Sequence, residues 1–110
     1  DAMALERNAN GVRPLGEASA RTLTSLAWGF AKLRVRSELL FGAIDAAATG
    51  RLASFPPLEL TRLLWGFARN GVLAPSLFSE ATTALRTSLD AYSVAQLATV
   101  AWAFSRGGVA

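Results

Sequence analysis

Cysteine and histidine are both absent from the 110 residues of this chain. Their absence excludes disulfide bonds, Cys/His metal sites, thiol nucleophiles and His-based catalytic triads. The eight acidic residues are scattered singly along the chain, so no pair of carboxylates stands out as an acid–base dyad. No glycine-rich phosphate loop follows a predicted strand. We therefore expect a protein that is not an enzyme, binds no metal or cofactor and has no small-molecule substrate.

Long hydrophobic runs are also missing. The longest stretch without a charged residue covers residues 91–105, which is 15 residues, whereas a helix that spans a bilayer needs about 20. We expect no membrane insertion from this pattern. No targeting segment is visible in the sequence either.

Lysine occurs only once, at Lys32, although the chain has 11 basic residues against 8 acidic ones. The net charge is +3 and the sequence pI is about 10.6. Arginine offers a planar fork that pairs with phosphate and stacks on bases, so this composition is compatible with a nucleic-acid partner. An Ala- and Arg-rich composition is equally expected from GC-rich codons, and both interpretations stay open.

A short motif is present three times at a constant spacing of 37 residues: LAWGFAK at residues 26–32, LLWGFAR at residues 63–69 and VAWAFSR at residues 100–106. Repeats at a fixed period are typical of arrays of stacked supersecondary units. Around each copy the apolar residues recur at i, i+3, i+4 and i+7, which predicts one buried face of a helix.

The pattern predicts first helices at about residues 20–33, 57–70 and 94–106, and second helices at about residues 38–49 and 75–88. Ser93 and Gln96 form a capping-box pattern, and Gly71 is a stop signal. We predict an all-α fold, an alpha-alpha superhelix (solenoid) of about three 37-residue helix–turn–helix repeats. The whole chain would form one domain. Its units would be about 19–55, 56–92 and a partial 93–110, and residues 1–18 would be a remnant of a preceding unit. We expect such a domain to be a segment of a longer array, or to dock against other chains.

The ten aromatic residues all fall in four columns of this repeat. Large rings at the same place in every unit suggest that each unit buries the same contacts against the next. We predict that two columns form the structural core of the repeat: Trp28, Trp65, Trp102, Phe30, Phe67 and Phe104. For the tryptophans a second interpretation stays open, in which the rings stack on the bases of a single strand.

Polar columns on the first helices are the candidates for function. One position is basic in all three copies, occupied by Lys32, Arg69 and Arg106. One cation per repeat suits a regularly spaced phosphate backbone, and Arg62 is a further candidate for phosphate contact. A cation in the last turn of a helix also stabilises the helix dipole, which is the purely structural alternative. Neighbouring positions vary between units and are candidates to face RNA bases: Thr24, Ser25, Thr61, Arg62, Ala98 and Thr99.

The recurring Leu-x-x-Leu-x-Trp-Gly/Ala-Phe-Ala unit resembles the octotricopeptide and heptatricopeptide repeat proteins of plastids and mitochondria, whose repeats also precede RAP domains. The resemblance covers about residues 17–110. It implies a superhelix that binds RNA in transcript maturation, in translation or as a ribosomal component, and it implies that base-facing residues lie in the first helix of each unit. The chain shows no RAP domain.

The leading functional prediction is therefore a non-enzymatic RNA-binding helical repeat protein of a mitochondrion or plastid, with an organellar transcript or ribosomal RNA as partner. The alternative is a protein–protein interaction scaffold, a subunit of a larger organellar complex. Few repeats and apolar ends favour the scaffold, whereas the basic column favours RNA.

Overall fold

The structure is a computed structural model that describes residues 17–106, and within that range it contains five α-helices and no strand. The helices are α1 (Ala20–Lys32), α2 (Glu38–Ala48), α3 (Pro57–Arg69), α4 (Pro75–Thr87) and α5 (Val94–Arg106), with 3₁₀ turns at Leu52–Ser54 and Leu89–Ala91. The predicted all-α class is confirmed. The helices begin where the sequence predicts and end within one residue of the predicted bounds. The predicted remnant at residues 1–18 lies almost wholly outside the described residues, as do residues 107–110.

Each helix begins with a local signal. The hydroxyl groups of Ser19 and Ser37 accept hydrogen bonds from the N–H groups of the third residue that follows, which satisfies donors that have no partner inside the helix. Proline occupies the first position of α3 and of α4, where no N–H partner is needed. The predicted capping box at α5 is confirmed: the Gln96 N–H donates to the Ser93 hydroxyl at 3.1 Å, and the Ser93 N–H donates to the Gln96 side-chain oxygen at 2.9 Å.

Two helices end with the same backbone turn. Gly71, after α3, has a φ of 67°, and the N–H groups of Gly71 and Val72 donate to carbonyls of the last turn. This is a Schellman motif, which needs a left-handed residue and favours glycine. After α1 the corresponding residue is Arg34, with a φ of 59° and the same pair of hydrogen bonds. The turn therefore forms even where the residue has a Cβ atom.

The first helices of the predicted repeats lie next to each other. Helix α3 packs against α1 on one side and against α5 on the other, α2 contacts α1, and the turn Leu52–Ser54 contacts α4. Second helices bridge to the following first helix through edge-to-face aromatic pairs. The Phe41 and Phe67 ring centroids are 5.0 Å apart with an interplanar angle of 89°, and the corresponding pair, Phe78 and Phe104, gives 5.2 Å and 77°. All five helices contribute to one hydrophobic core.

Small residues set the closest helix contact. A Cβ atom placed on Gly66 would lie 2.9 Å from the backbone carbonyl atoms of Ala27, so α1 and α3 approach each other closely here. Gly29, one repeat earlier, would meet nothing within 4 Å, and Ala103, one repeat later, is buried. A close approach of two helices is thus observed at Gly66 and not at Gly29.

Candidate nucleic-acid interface

A continuous groove runs across the side of α1, α3 and α5 that carries the three tryptophans. It consists of three cavities: one of about 270 Å³ between α1 and α3, one of about 310 Å³ between α3 and α5, and one of about 240 Å³ beside Trp102. Trp28 lines the first two cavities, and Trp65 lines the last two. We call this surface the tryptophan groove. Its rings separate consecutive cavities at the interval of the sequence repeat.

The three indole rings are half-buried, so each both packs against the helices and presents part of its surface to the groove. The phenylalanine column behaves differently. Phe67 is fully buried, whereas Phe30 and Phe104, in the outer helices, are half-buried. The two interpretations of the tryptophans, packing and stacking, are therefore compatible with one another in this geometry.

Basic side chains cover two of the rings. The Lys32 Nζ lies 4.4 Å from the Trp28 ring centroid, and the Arg62 guanidinium carbon lies 4.7 Å from the same centroid. The Arg106 guanidinium carbon lies 5.2 Å from the Trp102 centroid. Such contacts are favourable because the face of an aromatic ring carries negative partial charge. These contacts place positively charged groups directly beside the apolar rings of the tryptophan groove.

Arg69 completes the basic column that the sequence predicts. It is exposed in the last turn of α3, as Lys32 and Arg106 are in α1 and α5. Within residues 17–106 the structure gives it no ring contact of the kind that Lys32 and Arg106 make. The side chain of Arg62, which comes from α3 and reaches the α1 ring, instead places a second cation at Trp28.

The candidate base-facing residues fall into two groups. Thr24 and Thr61 are buried between helices, at 1% and 5% exposure. The Thr24 hydroxyl donates to the Glu59 carbonyl at 3.1 Å, whereas the Thr61 hydroxyl has no hydrogen-bond partner among residues 17–106. The remaining candidates are accessible: Ser25 and Ala98 are exposed, and Arg62 and Thr99 are half-buried. Ser25, Arg62, Ala98 and Thr99 line the groove, and their roles stay predictions.

Sequence reasoning missed some residues of the groove. Glu59 and Gln96, from the first turns of α3 and α5, line it together with the predicted positions. The contacts of Lys32 and Arg106 had a detectable signal, because each lies four residues after a tryptophan on the same helix, where side chains are neighbours. The sequence contains no signal for the contact of Arg62 with Trp28, because that contact depends on how α1 and α3 pack.

Over residues 17–106 no three His, Cys, Asp or Glu side chains gather where they could ligate a metal ion. None of the helices in that range combines the length and the apolar character that a bilayer-crossing segment requires.

A comparison with protein-family models matches residues 2–110 to the family described as RNA-editing substrate-binding complex 6 protein. Comparisons with curated proteins and with solved structures gave no significant match. The resemblance to octotricopeptide and heptatricopeptide repeat proteins is therefore wrong, and a ribosomal or plastid role loses its support. The motif indicated the wrong family because leucines, a tryptophan and a small residue at helical spacing reflect how helical hairpins pack. Unrelated families share this type of packing. With nearly the whole chain matched, this protein belongs to the RNA-editing substrate-binding complex 6 protein family.

Proposed function

We propose that the chain is a non-enzymatic helical scaffold subunit of an RNA-editing substrate-binding complex, acting mainly through contacts with other proteins. The description of the family supports membership in such a complex. We further propose that the helical hairpins form a superhelix of about three 37-residue repeats, supported by the order α1–α3–α5 and by the two matching phenylalanine pairs. We assign the chain to the mitochondrion, the organelle in which RNA-editing complex proteins of this type act.

The observation that carries the scaffold proposal is an apolar surface at the turns that join the helices. Leu39 is 87% exposed at the start of α2, and Leu73 is 70% exposed in the turn after α3. Leu33 and Val35 are exposed between α1 and α2. The two turns are adjacent, because the Asn70 side chain donates to the Val35 carbonyl at 3.0 Å. Large apolar side chains gathered at one surface are typical of protein–protein contact sites.

Co-purification after ribonuclease digestion tests this proposal. We expect the tagged chain to remain with the other subunits of the RNA-editing complex when the RNA is removed. The double variant Leu39→Lys, Leu73→Lys should lose that association, because charged residues would have to be desolvated at the contact. The control Ala46→Lys adds a charge at an exposed position of α2 and should retain it. Release of the unmodified chain by ribonuclease would refute the scaffold proposal.

A second candidate function, direct contact with RNA, is favoured by the two cations over Trp28. Single-stranded nucleic acids bind surfaces that combine positive charge with aromatic rings on which bases stack. The tryptophan groove combines both at the interval of the repeat. Contact with RNA would take place in the same complex. It predicts binding that weakens as the salt concentration rises, which the scaffold proposal does not.

Salt dependence of binding to a single-stranded RNA tests the second candidate. We expect Arg62→Gln to weaken binding and to reduce the slope of log K against log salt by about 0.7, the value for one lost phosphate contact. Arg86→Gln, which removes an exposed arginine of α4 away from the groove, is the matched control and should leave the slope unchanged. Equal effects of the two substitutions would mean that the groove is not the RNA site.

A further inference from the structure

Two cavities of the tryptophan groove are built from corresponding residues. The cavity between α1 and α3 has Trp28 of the earlier helix and Glu59, the third residue of the later helix. The cavity between α3 and α5 has Trp65 and Gln96 in the same places, 37 positions later in the sequence. Both walls of each cavity come from helices that the structure describes, so neither cavity depends on a further repeat. The third position gives one cavity a carboxylate and the other an amide.

The start of each helix decides which atoms of these two side chains remain available. At α5 the Gln96 side-chain oxygen accepts from the Ser93 N–H at 2.9 Å, and the NH2 group of the same amide has no acceptor within residues 17–106. At α3 the residue in the place of Ser93 is Pro56, which has no N–H to donate. The Glu59 carboxylate therefore takes no part in capping, and it forms no hydrogen bond or ion pair within residues 17–106. One cavity offers a donor and the other an acceptor.

Planar surfaces for stacking lie beside both polar groups. Trp65 is the indole over which no cation lies within residues 17–106, so no side chain of that range competes for its ring in this way. In the other cavity the Arg62 guanidinium lies over Trp28. Bases stack on indole rings and on guanidinium planes alike. The cavities, of about 270 and about 310 Å³, are near the lower end of the range for small-ligand sites, about 300–1,000 Å³, which suits one base each.

The charge of the groove favours RNA as the ligand. Lys32, Arg62 and Arg106 lie over its rings, and Arg21 lines the cavity between α1 and α3. Among residues 17–106, Glu59 contributes the one carboxylate to the lining of the three cavities, so the groove keeps an excess of positive charge. Phosphates pair with the cations and bases cover the apolar planes. An acidic protein segment would satisfy the cations but would leave those planes without a partner.

We propose that the two cavities bind bases of single-stranded RNA that present opposite hydrogen-bonding groups, and that Glu59 and Gln96 determine the preference. The Gln96 amide donates to a carbonyl oxygen, so the cavity between α3 and α5 prefers uracil over cytosine and guanine over adenine. The Glu59 carboxylate accepts from the amino group that replaces this carbonyl in cytosine and adenine, so the cavity between α1 and α3 has the reverse preference. This proposal rests on the second candidate function, direct contact with RNA, and names the bases that the contact distinguishes.

Pyrimidine heptanucleotides test the role of Gln96, because cytosine and uracil have the same size and differ in this group. In a cytosine heptamer, a central uracil should tighten binding to the chain about tenfold, since one more matched hydrogen bond forms. Gln96→Glu should remove this gain, because the carboxylate still caps α5 through one oxygen and presents the other as an acceptor. Fluorescence anisotropy measures the affinities. The ratio of two oligonucleotides on one variant cancels the effect of the added charge.

The reciprocal exchange tests the role of Glu59. In a uracil heptamer, a central cytosine should tighten binding about tenfold for the same reason. Glu59→Gln should remove the gain without reversing it, because an amide that no cap orients can turn either its oxygen or its NH2 group to the base. Asp90→Asn, which removes an exposed carboxylate in the turn after α4, is the matched control and should retain the gain.

Circular dichroism should show that the three variants fold. Equal affinities for all the oligonucleotides, or gains that Gln96→Glu and Glu59→Gln leave in place, would overturn the proposal. Binding without base preference that still weakens with salt would leave contact with RNA standing, so this proposal and the second candidate function can fail separately. Displacement of the oligonucleotides by polyglutamate of the same charge, as efficient as displacement by RNA, would assign the groove to an acidic protein segment and would also overturn the proposal.

Discussion

Helix α3 contacts α1 on one side and α5 on the other, through positions that correspond at the spacing of the repeat. On the α1 side Gly66 lies against the backbone of Ala27, and the Thr24 hydroxyl donates to the Glu59 carbonyl at 3.1 Å. On the α5 side Ala103 and Leu64 occupy the corresponding positions, and the Thr61 hydroxyl is buried without a partner. The carbonyl that corresponds to Glu59 is that of Gln96.

The two contacts differ in side-chain size: glycine and alanine meet between α1 and α3, whereas leucine and alanine occupy the corresponding positions in α3 and α5. We infer that the methyl group of Ala103 and the larger side chain of Leu64 hold α5 farther from α3 than α1 is held. The Thr61 hydroxyl then does not reach the Gln96 carbonyl, although the same pair of residue positions meets one repeat earlier.

The largest expected effect on stability compares corresponding phenylalanines in α3 and α5. Helix α3 packs between α1 and α5, whereas within residues 17–106 α5 has such a neighbour on one side, α3. Phe67→Ala should lower the free energy of unfolding by about 3–5 kcal/mol, because it leaves a cavity at a fully buried ring. Phe104→Ala removes the same side chain from a half-buried site and should cost less than half as much. Urea denaturation of both variants checks the comparison. Equal losses would show that the ring of α5 is as well packed as that of α3.

A smaller effect tests the close approach at Gly66. Gly66→Ala should destabilise the fold by about 1–3 kcal/mol, because the new Cβ atom would overlap the Ala27 backbone, which cannot give way as a flexible side chain can. Gly29→Ala is the matched control: its Cβ atom meets nothing within 4 Å, so the helix propensity of alanine should stabilise the fold by about 1 kcal/mol. Opposite signs in thermal unfolding would support the geometry, and a stabilising Gly66→Ala would contradict it.

The smallest effect concerns the two threonines. Thr24→Val removes the hydrogen bond to Glu59 and should cost about 1 kcal/mol. Thr61→Val removes a buried hydroxyl that has no partner, and it should stabilise the fold by about 1 kcal/mol because a desolvation penalty disappears. Denaturant titrations should again show opposite signs. If both variants lose stability equally, the Thr61 hydroxyl has an acceptor after all.

The helices could be predicted because their signals are local. The capping box at Ser93 and the proline at the start of α3 specify where helices begin, and the apolar spacing specifies the buried face. The basic column was also predictable as a set of residues, since it lies in the last turn of each first helix. Its contacts with Trp28 and Trp102 are compatible with a four-residue spacing on one helix, but the same spacing between Trp65 and Arg69 gives no ring contact within residues 17–106.

The family could not be predicted from the same pattern. Regular leucines and tryptophans describe how a helical hairpin buries its surface, and many families satisfy that requirement. The motif therefore led to the wrong family while the all-α class was right. The partial exposure of Leu89 and Leu97 was not predictable either, because these residues look as apolar in sequence as their buried counterparts, Leu52 and Leu60.

The sequence by itself determined the positions of the five helices and which side of each helix is apolar, because capping and periodicity act within a few residues along the chain. Only the tertiary structure decided that Arg62 reaches Trp28, and that within residues 17–106 Thr24 is bonded while Thr61 is not and Leu97 and Phe104 of α5 are half-buried. Those outcomes depend on the distance between helices, which is fixed jointly by side chains that lie 37 residues apart in the sequence.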